Sequence, residues 1–94
     1  MSRSDWTNYQ NQIRRFRQQR NLRLRDVARL VGIRDAPHVS EWESGDRVPT
    51  LESALKLSAA LECPIEVLFC DHFKVIREEV MQRRHRFNIK REFN

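Results

Sequence analysis

Apolar residues recur at helical spacing along most of the chain. Trp6, Tyr9, Ile13 and Phe16 stand at i, i+3, i+7 and i+10, which predicts one face of a helix over about residues 5–20. Thr7 and Gln10 match a capping box, with Ser4 or Asp5 as alternative caps, and Asn21 is a plausible stop. Arg14, Arg15 and Arg20 fall off this stripe and are expected in solvent. Leu24, Val27, Ala28 and Val31 make a second stripe of about eight residues, ended by Gly32. In the following "IRDAPHVSEWESG", Asp35 suits an N-cap, and Pro37 is tolerated in a first turn, where its missing N–H is not needed. Val39 and Trp42, three apart, should face inward, and Gly45 suits a left-handed helix end.

The turn cluster "SGDRVPT" comes next, and Thr50 is expected to cap a fourth helix, "LESALKLSAALE". Its buried face is read as Leu51, Leu55, Ser58 and Leu61, with Ala54 beside them. Pro64 stops that helix and pre-sets the first position of a short fifth one, "PIEVLF". Phe73, Ile76 and Val80 then predict a helix over about residues 71–86. The closing "RFNIKREFN" alternates only briefly, at Phe87 and Ile89, and is compatible with a strand, a frayed end or a basic tail. No strand pattern precedes residue 86, and no internal repeat is visible. The fold class expected is therefore all-α.

Composition narrows the function. A chain of 94 residues implies one domain with one modest core. Its apolar stretches are a few residues long, far below the roughly 20 a membrane span needs, so no membrane partner is expected. The N-terminus lacks the apolar run of a secretory signal. Cys63 and Cys70 fit a reducing cytosol as small hydrophobes, and a cytoplasmic location is expected. Together with His72 they lack the paired close spacing of a zinc site, so no metal is expected.

The net charge of +5 is unevenly spread. Residues 1–34 carry nine Arg against two acids, residues 35–72 two basic against eight acidic residues, and residues 73–94 seven basic against three acidic. Two basic blocks flanking an acidic middle suggest a polyanion partner. Asp35, His38 and Ser40 cannot make a base–nucleophile–orienter set from one helix, and no catalytic residue or cofactor is expected.

Two short helices joined by a tight turn read as a helix-turn-helix. Ala28 supplies the small side chain at their crossing, Gly32 the turn, and Val39 and Trp42 the anchors of the second helix. With these residues in order, the chain resembles the phage repressor and Cro-like (Xre-type) helix-turn-helix domains over about Ile13 to Phe69. The matching features are Val27–Ala28, Gly32–Ile33, "VSEWESG", Pro49 at the E-x-G-x-x-x-P spacing and "LESALKLSAALECPIEVLF". The resemblance implies a five-helix lambda-repressor-like domain over residues 1–70, which binds operator DNA, usually as a homodimer, and regulates transcription. Residues 71–94 would add a C-terminal helix and basic tail, as a dimerisation or accessory contact segment.

The resemblance also implies an ion pair between Arg17 of the first helix and Glu43 at the end of the third. The third helix, about residues 36–44, would read the major groove through His38, Ser40 and Glu41, with Ala36 and Pro37 offering only apolar contact. Arg23, Arg25, Arg34, Arg47 and the backbone at Thr50 would engage phosphates. Two departures stand out: the segment between Gly32 and Val39 is one residue longer than the usual pattern, and Leu24 stands where the family often has Gln. With the acidic middle, they keep a second class of function open, a protein-binding module of the same fold that has lost base reading.

Overall fold

The computed structural model describes Trp6 and residues 9–90. Among these it has six helices and no strand: α1 (Ile13–Gln19), α2 (Leu24–Val31), α3 (Ala36–Ser44), α4 (Leu51–Leu61), α5 (Ile65–Leu68) and α6 (Cys70–Arg86). No helix is long and apolar enough to cross a membrane.

One core joins the first five helices. Ile13 of α1, Val27, Ala28 and Val31 of α2, Val39 and Trp42 of α3, Leu57 and Leu61 of α4 and Leu68 of α5 are all buried in it. Cys63 is buried there too, and burial pushes its thiol pKa up. Leu24 packs half-buried against the same cluster.

The α2–α3 turn follows from glycine chemistry. Gly32 ends α2 at φ 89°, and the N–H groups of Gly32 and Ile33 both donate to the Ala28 carbonyl at 2.9 Å. A Cβ on Gly32 would meet nothing within 4 Å. Glycine is therefore required there by its backbone angle rather than by crowding. At the other end of α2, the Asp26 carboxylate accepts from the Arg23 N–H at 2.8 Å. Thr50 Oγ1 accepts from the Ser53 N–H at 3.2 Å and so caps α4.

Several expectations from sequence are corrected. The first helix begins at Ile13, not near residue 5. The segment before it is bonded outward instead: Gln12 N–H donates to the Leu68 carbonyl at 2.8 Å, and Gln10 N–H to Asp71 Oδ2 at 3.1 Å. Trp6 and Tyr9 pack on each other and on His72 of α6, with ring centroids 5.0–5.1 Å apart. The alternative caps Ser4, Asp5 and Thr7 lie outside the described residues. Arg20 is not simply solvated. It donates to the carbonyls of Leu61 at 2.8 Å and Glu62 at 3.1 Å, closing the end of α4, while its guanidinium sits over Phe16.

Asp35 occupies the N-cap of α3, but its side chain accepts no cap hydrogen bond. Pro37 has no N–H to offer, and His38 N–H donates to the Asp35 carbonyl instead. The inner face of α4 is Ala54, Leu57 and Leu61, whereas Leu51 and Leu55 are exposed. Pro64 is the cap of α5 rather than its first residue. The chain after α6 turns at Asn88, with φ 57°, and forms no strand among the described residues.

Two outcomes follow. Gly32→Ala should lower stability by about 1 kcal/mol through its backbone angle, while Gly32→Asn should cost less; urea denaturation separates them. His72 is half-buried among aromatic rings, and burial lowers its pKa below the usual histidine value. The unfolded chain then binds the proton more readily, so this contribution to stability is present above pH about 6.5 and is lost as pH falls through the folded value. The fall should shrink in His72→Phe, measured as the difference in unfolding midpoint between variants across pH.

Candidate nucleic-acid interface

The helix-turn-helix is seated by one end of its second helix. Val39 and Trp42 are 0% and 3% exposed, so α3 is anchored through its middle and its C-terminal half. The Trp42 carbonyl accepts from Asn11 Nδ2 at 2.8 Å. The next residue, Glu43, turns back under α1: Arg17 Nε lies 2.5 Å from Glu43 Oε2, and Arg14 Nε 3.1 Å from Oε1. The Glu43 side chain is 1% exposed and that of Arg17 only 14%. Arg17 also donates to the Leu22 carbonyl at 3.0 Å, so one guanidinium ties α1, the α1–α2 turn and α3 together. Sequence reasoning missed Arg14; its place three residues before Arg17 on the same helix face was the available signal.

The opposite side of α3 faces out. Ala36, His38, Ser40 and Glu41 are partly exposed and Pro37 is exposed. His38 stacks edge-on against Trp42 at 5.0 Å, which holds its ring at the border between core and surface. Glu41 is met by Arg47, from the turn that follows α3, with Nε 3.4 Å from Oε1. Arg47 N–H also donates to the Glu41 carbonyl at 3.2 Å. Both carboxylates of α3 therefore have guanidinium partners, and the apparent negative charge of this helix is locally cancelled.

The remaining predicted residues border this face along the chain. Arg23 sits exposed at the N-terminus of α2, with its guanidinium 3.7 Å from Asp26. Arg25 lies exposed in the first turn of α2, and Arg34 exposed in the α2–α3 turn. Thr50 lies exposed at the N-terminus of α4. Arg29, on α2, is exposed as well. Among the described residues, Arg25, Arg29 and Arg34 are in no ion pair, so their guanidinium groups are open to an anionic partner.

A five-helix core with a glycine-turned helix pair, whose second helix is buried behind and open in front, defines a helix-turn-helix domain. The chain belongs to the helix-turn-helix family of Cro-like (Xre-type) domains: the family's profile matches residues 13–68, the first residue of α1 to the last of α5. Helix α6 lies beyond the match. A domain of this family indicates DNA binding and transcriptional regulation. No curated protein sequence matches the chain.

The Arg17–Glu43 pair gives a direct prediction. Arg17→Met should destabilise the fold by about 2–3 kcal/mol, because it strips a buried carboxylate of its main partner. Adding Glu43→Leu should restore most of that loss, since the stranded charge is then gone. Chemical denaturation of both variants checks this; a double variant as unstable as the single would contradict it.

Proposed function

We propose that this protein is a sequence-specific double-stranded DNA-binding regulator, acting as a homodimer and most simply as a repressor that occupies a promoter. The observation that carries this reading is the outward face of α3, flanked by arginines. Within α3, Arg47 meets Glu41 and Arg17 and Arg14 meet Glu43, which leaves Asp35 at the N-cap as the acid without an ion-pair partner among the described residues. The same pairing weakens the case for a protein-binding module that rested on an acidic third helix.

In this reading Arg23, Arg25, Arg34 and Arg47 engage phosphates, with the N-terminal backbone of α4 at Thr50 adding N–H donors. His38 and Ser40 donate or accept at base edges, and Ala36 and Pro37 make apolar contact, suited to a thymine methyl. Glu41 is acceptor-only, so the base amino groups that suit it are cytosine N4 and adenine N6. When Arg47 turns toward a phosphate, Glu41 is released to accept such a bond. The two residues are thus coupled: backbone engagement by one frees base reading by the other.

Selection from random duplex DNA tests this, with an enriched palindrome as the expected result and no enrichment at low salt as the contrary one. Affinity for the selected site should fall with salt at a log–log slope of about 0.9 per phosphate engaged. Arg34→Ala and Arg47→Ala should each flatten that slope by about one unit across all sequences. Glu41→Gln should instead change the preferred base at one position of each half-site, read by repeating the selection with the variant.

A further inference from the structure

Helix α6 is the element that the domain core leaves unused. It spans 17 residues, yet none of them is buried. Its first turn is held within the chain, by Trp6 and Tyr9 on His72 and by Gln10 N–H on Asp71, while its longer apolar face is left half in solvent. Phe73, Ile76 and Val80 form one face and are 47%, 42% and 44% exposed. That face continues an apolar groove lined by Trp6, Val48, Ile65, Phe69, Phe73 and Ile76, with the acidic Glu66 also in its lining.

We propose that this face is the seam between two copies of the chain, with the two α6 helices running antiparallel. The proposal rests on the dimeric reading above and names its surface. Within α6, Phe73, Ile76, Val80 and Arg83 follow the alternating three- and four-residue spacing of a coiled-coil seam, and Phe69, just before the helix, stands four residues ahead of them. Arg83 is the one charged residue among them. In a parallel pairing it would face the Arg83 of the second copy, with like charges opposed. In an antiparallel pairing centred near Ile76, it lies about 10 Å along the helix from that centre and arrives at the second copy's Phe69. The acidic Glu66, which also lines the groove, lies on the helix before. Neither Glu66 nor Arg83 is held in an ion pair within the chain among the described residues. Charge complementarity thus selects both the occupant and its direction: a second copy, whose basic helix end lies against the acidic end of the groove. The apolar centre supplies the association, and the Arg83–Glu66 contacts, made twice by symmetry, fix the register.

Sedimentation equilibrium of the full chain, over a range of protein concentration, tests this. The wild type should be a dimer. Ile76→Asp and Val80→Asp should each give monomers that retain the helical circular dichroism of the core. Arg83→Glu should weaken the dimer by roughly tenfold, and Arg83→Glu combined with Glu66→Arg should restore it. A monomeric wild type, an Ile76→Asp variant that stays dimeric, or a charge swap that fails to rescue would each overturn the proposal. A monomeric wild type that captures another protein or DNA through α6 would also overturn it, by assigning the face a different occupant. DNA binding is scored separately by band shift. Retarded DNA with a monomeric wild type would refute the seam and leave the DNA reading standing; a dimer that retards no DNA would do the reverse.

Discussion

The seating of the C-terminal half of α3 is the constraint on which the rest depends. Trp42 fills the core, its carbonyl is tied to Asn11, and the neighbouring Glu43 is drawn under α1 by Arg17 and Arg14. These three contacts come from one helical turn and use three different interactions: apolar burial, a side-chain hydrogen bond and a charge-assisted pair. Their joint effect is directional. A helix held from behind at one end presents its other face at a fixed angle. This is what a base-reading element needs, because a small error in tilt would move every hydrogen-bonding group at its tip.

The charge pattern takes its meaning from this seating. Along the sequence the middle of the chain is acidic, which by itself is ill suited to a polyanion partner. In space, Glu43 is withdrawn from the surface altogether, with its side chain 1% exposed, and Glu41 is shared with Arg47. Net charge summed over a segment therefore misdescribes the field near α3. The buried pair is not itself a large source of stability, since desolvating both ions offsets most of their attraction. Its value is positional: a guanidinium that also bonds the Leu22 carbonyl fixes the spacing between α1 and α3.

Much of this is legible in the sequence. Gly32 and Gly45 mark their helix ends because a left-handed backbone angle has few other tenants, and Val39 and Trp42 declare an inner face by spacing alone. Other features were illegible for physical reasons. Trp6 and Tyr9 keep helical spacing with Ile13, but their rings are satisfied by His72, sixty-odd positions away, and periodicity carries no information about distant partners. Helix α4 offers two apolar stripes, Leu51–Leu55 and Ala54–Leu57–Leu61; only the packing of its neighbours chooses between them. Arg20 reads as surface charge until the end of α4 is brought beside it. The outward placing of Ala36, Pro37, His38, Ser40 and Glu41 was readable, but the Arg47 partner of Glu41 depends on the turn folding back, which composition does not reveal.

The unchosen stripe on α4 and the unburied face of α6 differ in kind. Leu51 and Leu55 project from a helix whose other side is already buried, so their exposure leaves α4 anchored. Helix α6 is packed on its His72 side by Trp6 and Tyr9, while its Phe73–Ile76–Val80 face stays half in solvent. Exposed leucines on an anchored helix are ordinary, because folded proteins keep much apolar surface in water. A long helix with no buried residue is different, since its own backbone gains barely offset the entropy of ordering it. The core thus accounts for α1 to α5, whereas α6, held in its first turn by the segment before α1, keeps one apolar face that the chain's own contacts leave half in solvent.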